Sequence, residues 1–212
     1  KPIVIFDVGA HYGETVKLFH KKLNIKKIYS FEASSKNYKI LKKNISKYIS
    51  KNIEIYNYGI GRELSKSYIN QTLESSSSTI NELNVNSKYL KKKLKILNIK
   101  NKNSFHYKIP IKIITLDYFI EKNKIKNIDL LKIDTEGYEF NVLKGLSKYN
   151  QKIKLVYFEH HYDDMIVKNY KFGDIHQLLK SFGFVMIKKS KMLFRKSFEY
   201  VYENQKIINN LE

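Results

Sequence analysis

Ile3-Val4-Ile5-Phe6-Asp7-Val8-Gly9-Ala10-His11-Tyr12-Gly13 is the stretch on which the fold turns. The apolar run up to Val8 suits a short strand buried on both faces, and the glycines after it mark a tight turn into a helical stretch, Glu14 to Leu23. Glycine lets a backbone approach a ligand lying across such a loop, and the free N–H groups of the following helix attract negative charge. Strand, glycine loop and helix together predict a nucleotide-type cofactor. The competing reading is an ordinary βαβ turn with solvated acids.

Dinucleotide enzymes seat a pyrophosphate with three glycines in G-x-G-x-x-G spacing. Here the loop has Gly9 and Gly13 only, with Asp7 at the strand end. S-adenosylmethionine suits it better, because that molecule has no pyrophosphate but carries an α-ammonium, a sulfonium and one carboxylate. Asp7 would meet the ammonium, directly or through water, and loop N–H groups the carboxylate. About 20 residues on, where such folds set an acid for the ribose hydroxyls, the strand-like Lys27 to Phe31 ends in Glu32.

A second stretch, Leu130 to Gly145, reads Leu-Leu-Lys-Ile-Asp-Thr-Glu-Gly-Tyr-Glu-Phe-Asn-Val-Leu-Lys-Gly. With Asp-Val-Gly-Ala-His-Tyr-Gly, Phe31-Glu32-Ala33 and Thr115-Leu116-Asp117, in that order along Ile3 to His161, the chain closely resembles the FkbM family of S-adenosylmethionine-dependent methyltransferases. The resemblance implies an α/β class I methyltransferase fold: a Rossmann-like three-layer sandwich around a mostly parallel seven-stranded sheet with an antiparallel last strand. It also implies methyl transfer to oxygen, commonly on a sugar or natural-product hydroxyl. The cofactor set it suggests is Asp7, Gly9, Ala10, His11, Gly13, Glu32, Ala33, Gly59 and Asp134. Family members commonly carry a Ser-Ser element near Ser77, Ser78 and Thr79, which would bring those residues close to the cofactor or acceptor.

The 212 residues have no proline- or glycine-rich linker, so one domain is expected, with an inserted loop or lid at about 70–108. The absence of cysteine excludes disulfides and thiol-ligated metal, and no run approaches the roughly 20 apolar residues of a membrane span. The chain reads as cytoplasmic, and Lys1 in place of methionine suggests a trimmed or excised sequence. A net charge of +20 is nearly all lysine, with Arg62 and Arg195 the two arginines, whereas bidentate phosphate and base recognition favours arginine. Nucleic acid is therefore disfavoured as a partner. The lysines read as solvated surface, with peripheral attachment to an anionic inner membrane face or glycan as the alternative.

Further strands are expected at Ile53 to Tyr58, Ile109 to Thr115, Ile128 to Ile133 and Lys154 to Phe158, with a closing antiparallel pair at Phe184 to Lys188 and Phe198 to Tyr202. Helices are expected from Ser35 to Tyr48, capped by Ser34 or Ser35, and at Leu116 to Lys122, Tyr138 to Leu146 and Asp174 to Ser181, with His176 on the surface of the last. Gly59-Ile60-Gly61 lets the chain pass an adenine ring or simply turns it into a hairpin at Ser67 to Asn70. Lys88 to Asn103, lysine-rich with sparse apolar residues, reads as a flexible loop within an insertion from Leu83 to Tyr107. Asp117 reads as structural.

In open α/β sheets ligands lie beyond the C-terminal strand ends, where the strand order reverses. Those ends supply Asp7, Glu32, Asp134 with Glu136, and Glu159 with His160 and His161. Alternation along extended chain would point Asp134 and Glu136 one way and Glu159 and His161 together. A hydroxyl acceptor, a carbohydrate by the resemblance, needs a base. His161, oriented by Glu159, is the first candidate; His11, Glu136 and Asp134 are the others. His20 and His106 read as structural. Asp134, Glu159 and His161 would also suit Mg or Mn, but no tight ligand motif is present and no metal is assigned. The remaining alternatives are a methyltransferase for a lipid, small natural product or nucleic acid, and a non-catalytic anion-binding module.

Overall fold

The computed structural model describes residues 1–46, 48, 52–99, 105–192 and 196–208. Seven strands form the main sheet: β1 (Ile3–Val8), β2 (Ile25–Phe31), β3 (Ile53–Tyr56), β7 (Ile128–Ile133), β8 (Ile153–His161), β9 (Phe184–Lys191) and β10 (Ser197–Asn204). Their order is β3-β2-β1-β7-β8-β10-β9. β1, β2, β3, β7 and β8 pair in parallel, while β10 runs antiparallel between β8 and β9. The order therefore reverses between β1 and β7, and the crevice for a ligand opens at their C-terminal ends.

Alternation along β1 explains the layers. Ile5 joins Val16, Leu41 and Ile45 of α1 (Glu14–Lys22) and α2 (Ser35–Ile45) on one face. Val4, Phe6 and Val8 pack with α4 (Leu116–Lys122), α5 (Glu139–Lys144) and α6 (Phe172–Phe182) on the other. The side chain of Ser34 caps α2 by accepting the Asn37 N–H. Asp117 proves structural, its carboxylate accepting the N–H groups of Lys148 and Tyr149. α7 (Gln205–Ile208) ends the described chain.

Four expectations need correction. A second, three-stranded sheet stands beside the main one: β4 (Gly59–Ile60) parallel to β6 (His106–Ile114), and β6 antiparallel to β5 (Ser65–Thr72). Lys88 to Asn103 is not simply a loop. Residues 88–96 form helix α3 (Lys88–Ile96), since Ser87 caps it and Leu90 and Leu94, one turn apart, bury themselves against Phe105, Met165 and Ile166; residues 100–104 lie outside the described residues. β8 runs on to His161, pairing with Ser197 of β10, so Glu159, His160 and His161 sit within a strand and not past its end. His176 is half-buried, 2.8 Å from the Tyr202 hydroxyl, and stacks on Phe172.

Candidate active site

A cleft opens at the β1/β7 reversal, where open α/β sheets bind their ligands. Its wall includes Gly9, His11, Glu32, Ala33, Gly59 and Asp134, together with Ser78 and Thr79. Glu32 is buried at the end of β2; its two oxygens accept the N–H groups of His11 (2.8 Å) and Ser34 (2.9 Å), leaving lone pairs for a further donor. Burial pushes its carboxyl up to about 7, against those two backbone hydrogen bonds. Gly9 adopts φ +86, and a Cβ there would stand 1.8 Å from the Asp134 carbonyl oxygen, so the crossing of the two loops requires glycine. His11, at φ 49, stacks on Tyr12 and lies 2.8 Å from the Ser75 hydroxyl, which ties the loop to the cleft rim.

Asp7, Ala10 and Gly13 are not on this wall, contrary to expectation. Asp7 faces Lys132 across the β1/β7 register, and the buried ammonium lies 3.2 Å from Asp7 and 3.4 Å from Asp134, two residues further along the chain from Lys132. Burial raises the Asp7 carboxyl and opposes the Lys132 charge, but the two carboxylates outweigh it and hold Lys132 protonated. The acid presented to the cleft is thus Asp134, with Asp7 behind it. Ala10 belongs to the core under α1 and α2, and a Cβ on Gly13 would strike Ile45 and Leu41.

Glu136 borders this cleft and also a second cavity. The second cavity is lined by Glu74 and Ser77, by Tyr89 and Lys93 of α3, and by His161 and Asp163. Glu136 and Gly137 take consecutive left-handed conformations, φ 49 and 90, so extended-chain alternation does not hold at Glu136; both acids border the cleft, Asp134 meeting Lys132 and Glu136 meeting His161. Neighbours brace the turn: the Thr79 hydroxyl donates to the Glu136 carbonyl (2.7 Å), Asn81 to that of Gly137 (2.5 Å), and buried Glu139 accepts the Gly137 N–H (2.9 Å). Tyr170 holds Glu139 in turn at 2.7 Å.

His161 is ringed by acids. Its Nε2 lies 3.5 Å from both Glu136 and Glu159, and its Nδ1 lies 3.6 Å from Asp163. Burial disfavours the imidazolium, but Asp163, Glu136 and Glu159 outweigh it and push His161 up to about 9. Burial chiefly, with Asp134 and Glu159 adding to it, lifts Glu136 to about 8 against the pull of His161. Glu159 and His161 do share a direction. Asp134 turns to Lys132 instead, and among the described residues no three His, Asp or Glu side chains are placed to hold a metal ion together. Sequence reasoning missed Lys132, Glu139, Asp163 and Tyr170. Of these, Lys132 had a readable signal, a charge set among the apolar residues at the end of its strand.

Residues 7–186 match the Methyltransferase FkbM domain. A search of curated proteins finds no match. Among solved structures the chain is similar to a methyltransferase FkbM from Methylobacillus flagellatus KT, with TM-score 0.61 and 14% identity over 95% of this chain and 44% of that one. It is also similar to M. capricolum TrmK in complex with S-adenosyl-homocysteine, with TM-score 0.55 and 13% identity over 97% and 63% of the two chains. A SAM dependent methyltransferase from Aquifex aeolicus gives TM-score 0.50 and 11% identity over 95% and 82%. The chain spans less than two thirds of the first two structures, and at these identities the likeness is one of fold. Together, the domain match over most of the chain and the strand order make this chain a member of the FkbM methyltransferase family.

Proposed function

We propose that the chain methylates a hydroxyl oxygen on a sugar, in a surface glycan or its nucleotide-linked precursor. The observation that carries this reading is Glu136, a buried carboxylate common to the cofactor cleft and the second cavity. Bound S-adenosylmethionine supplies a methyl group already activated on sulfur, so the protein must align the acceptor and remove its proton. The Glu32 oxygens would accept from the ribose hydroxyls and Asp134 would face the ammonium, while the N–H groups of Gly9, Ala10, His11 and Gly13 are already donated to Phe31, Glu32 and Ala10 and hold the loop itself. As the acceptor oxygen bonds to carbon and the carbon–sulfur bond breaks, the hydroxyl proton passes to Glu136.

Glu136 is preferred to His161 as this base. Both ring nitrogens of His161 face carboxylates, so the imidazolium has no lone pair for the acceptor proton. His161 then acts as a positioning residue that keeps Glu136 ionisable near neutral pH, where a general base is most effective. The second cavity mixes hydrogen-bonding groups with Tyr89 and aliphatic residues, a lining that suits the hydroxyl edges and C–H faces of a sugar. A labelled-methyl assay on glycan, lipid, protein and nucleic-acid fractions tests the proposal. Label in the glycan fraction, lost in Glu136→Gln, is expected; label confined to RNA or protein would overturn the sugar reading, and calorimetry showing no S-adenosylhomocysteine binding would defeat it altogether.

A further inference from the structure

Helix α3 has three flanks with different jobs. Leu90 and Leu94 are buried, while Tyr89, Lys93 and Ile96 line the second cavity. The outward flank carries Lys88, Lys91, Lys92 and Lys95, all exposed, and the helix has no acidic residue in its first turn or anywhere in KYLKKKLKI. Lys93 is neutralised by Glu74 at 2.5 Å, but among the described residues no acid pairs with the four outward lysines. Asp164, at the N-terminal end of the helix, is taken up by the Ser87 hydroxyl and the N–H groups of Lys88 and Tyr89. At the C-terminal end Ile96 is 74% exposed. Lysines beside a bare aliphatic on one short helix are the pattern of a segment lying in a lipid interface.

We infer that α3 docks the enzyme on an anionic bilayer, with the mouth of the second cavity turned toward the lipid. The lysines meet the headgroups, and Ile96, beside Lys92 on the helix, enters the boundary with the acyl chains. The helix carries no arginine, and an exposed aliphatic gains nothing from a phosphate backbone, so a bilayer fits this flank better than nucleic acid. Given the sugar reading above, on which this last step rests, the acceptor is presented at a membrane, as a lipid-linked glycan would be.

The chain has no tryptophan, so Ile96→Trp supplies a single reporter. Its emission should shift to the blue with vesicles of phosphatidylcholine plus phosphatidylglycerol and stay unchanged with phosphatidylcholine alone. In co-sedimentation, Lys91→Gln/Lys92→Gln/Lys95→Gln should weaken vesicle binding on the order of 100-fold, from the contribution of each interfacial lysine. The control Lys21→Gln/Lys22→Gln/Lys26→Gln removes equal charge from exposed sites elsewhere and should weaken it far less. S-adenosylhomocysteine titration verifies that both triple variants are folded. An unshifted emission from the Ile96→Trp variant, equal weakening by both triple variants, or displacement from vesicles by an RNA oligonucleotide would each overturn the inference. Neither readout uses methyl transfer, so failure here leaves the proposed reaction standing.

Discussion

Replacing His161 with glutamine should push the pH–rate profile to higher pH instead of abolishing turnover. The imidazolium lies 3.5 Å from the Glu136 carboxylate, and both side chains are nearly buried. At an effective dielectric constant of about 20 that pair is worth roughly 5 kcal/mol, equivalent to some 3 pH units. This is a ceiling, because glutamine keeps a dipole and local groups relax. The sign is secure: losing the cation makes Glu136 harder to ionise, and Glu159 and Asp163, no longer offset, act in the same direction. With both substrates saturating, kcat measured from about pH 6 to 10 should show the acidic limb displaced upward by at least one unit, with activity recovering at the alkaline end. A profile in its wild-type place, or a drop of about 100-fold or more at every pH without displacement, would refute this reasoning and return His161 to the role of base.

Glu136→Gln should lower kcat by about 10² to 10⁴ with S-adenosylhomocysteine binding by calorimetry intact. Gly9→Ala places a methyl 1.8 Å from a backbone oxygen at positive φ; it should cost at least about 2 kcal/mol, lower Tm by roughly 4–8 °C and weaken cofactor binding. Lys132→Met strands buried Asp7 and should destabilise by about 3–5 kcal/mol in urea unfolding, with much of the loss restored in Asp7→Asn/Lys132→Met. Stability should fall as pH rises from about 6.5 to 9. Folded His161, raised to about 9, and folded Glu136, raised to about 8, hold protons that the unfolded chain gives up at lower pH, so both contributions fade across that window. The urea midpoint should therefore drop between pH 6.5 and 9, and drop less in Glu136→Gln.

The frame was legible because its signals are local. The apolar run of β1, the glycines after it and the serine before α2 act through short-range sterics and capping, and the structure has each where the sequence implies it. Helix α3 was hidden because two leucines among five lysines suffice once Phe105, Met165 and Ile166 offer a surface, and two of those three come from a distant loop. Asp7 misled for a related reason. An acid at a strand end looks solvent-directed until the partner strand supplies Lys132, and strand pairing is not written in either strand alone. Glu136 emerged as a candidate but with the wrong geometry, since a non-glycine residue in the left-handed region is imposed by its surroundings.

Those surroundings also bear on how such an enzyme could be re-engineered. Thr79 and Asn81, which secure the carbonyls of Glu136 and Gly137, come from the same stretch that walls the second cavity, the proposed acceptor site. A chimera in which that stretch is exchanged for a relative's, to redirect selectivity, would import a new recognition surface while unfastening the carboxylate. Grafts that retain these two side chains should keep turnover; grafts that discard them should bind the new acceptor and leave it unmodified.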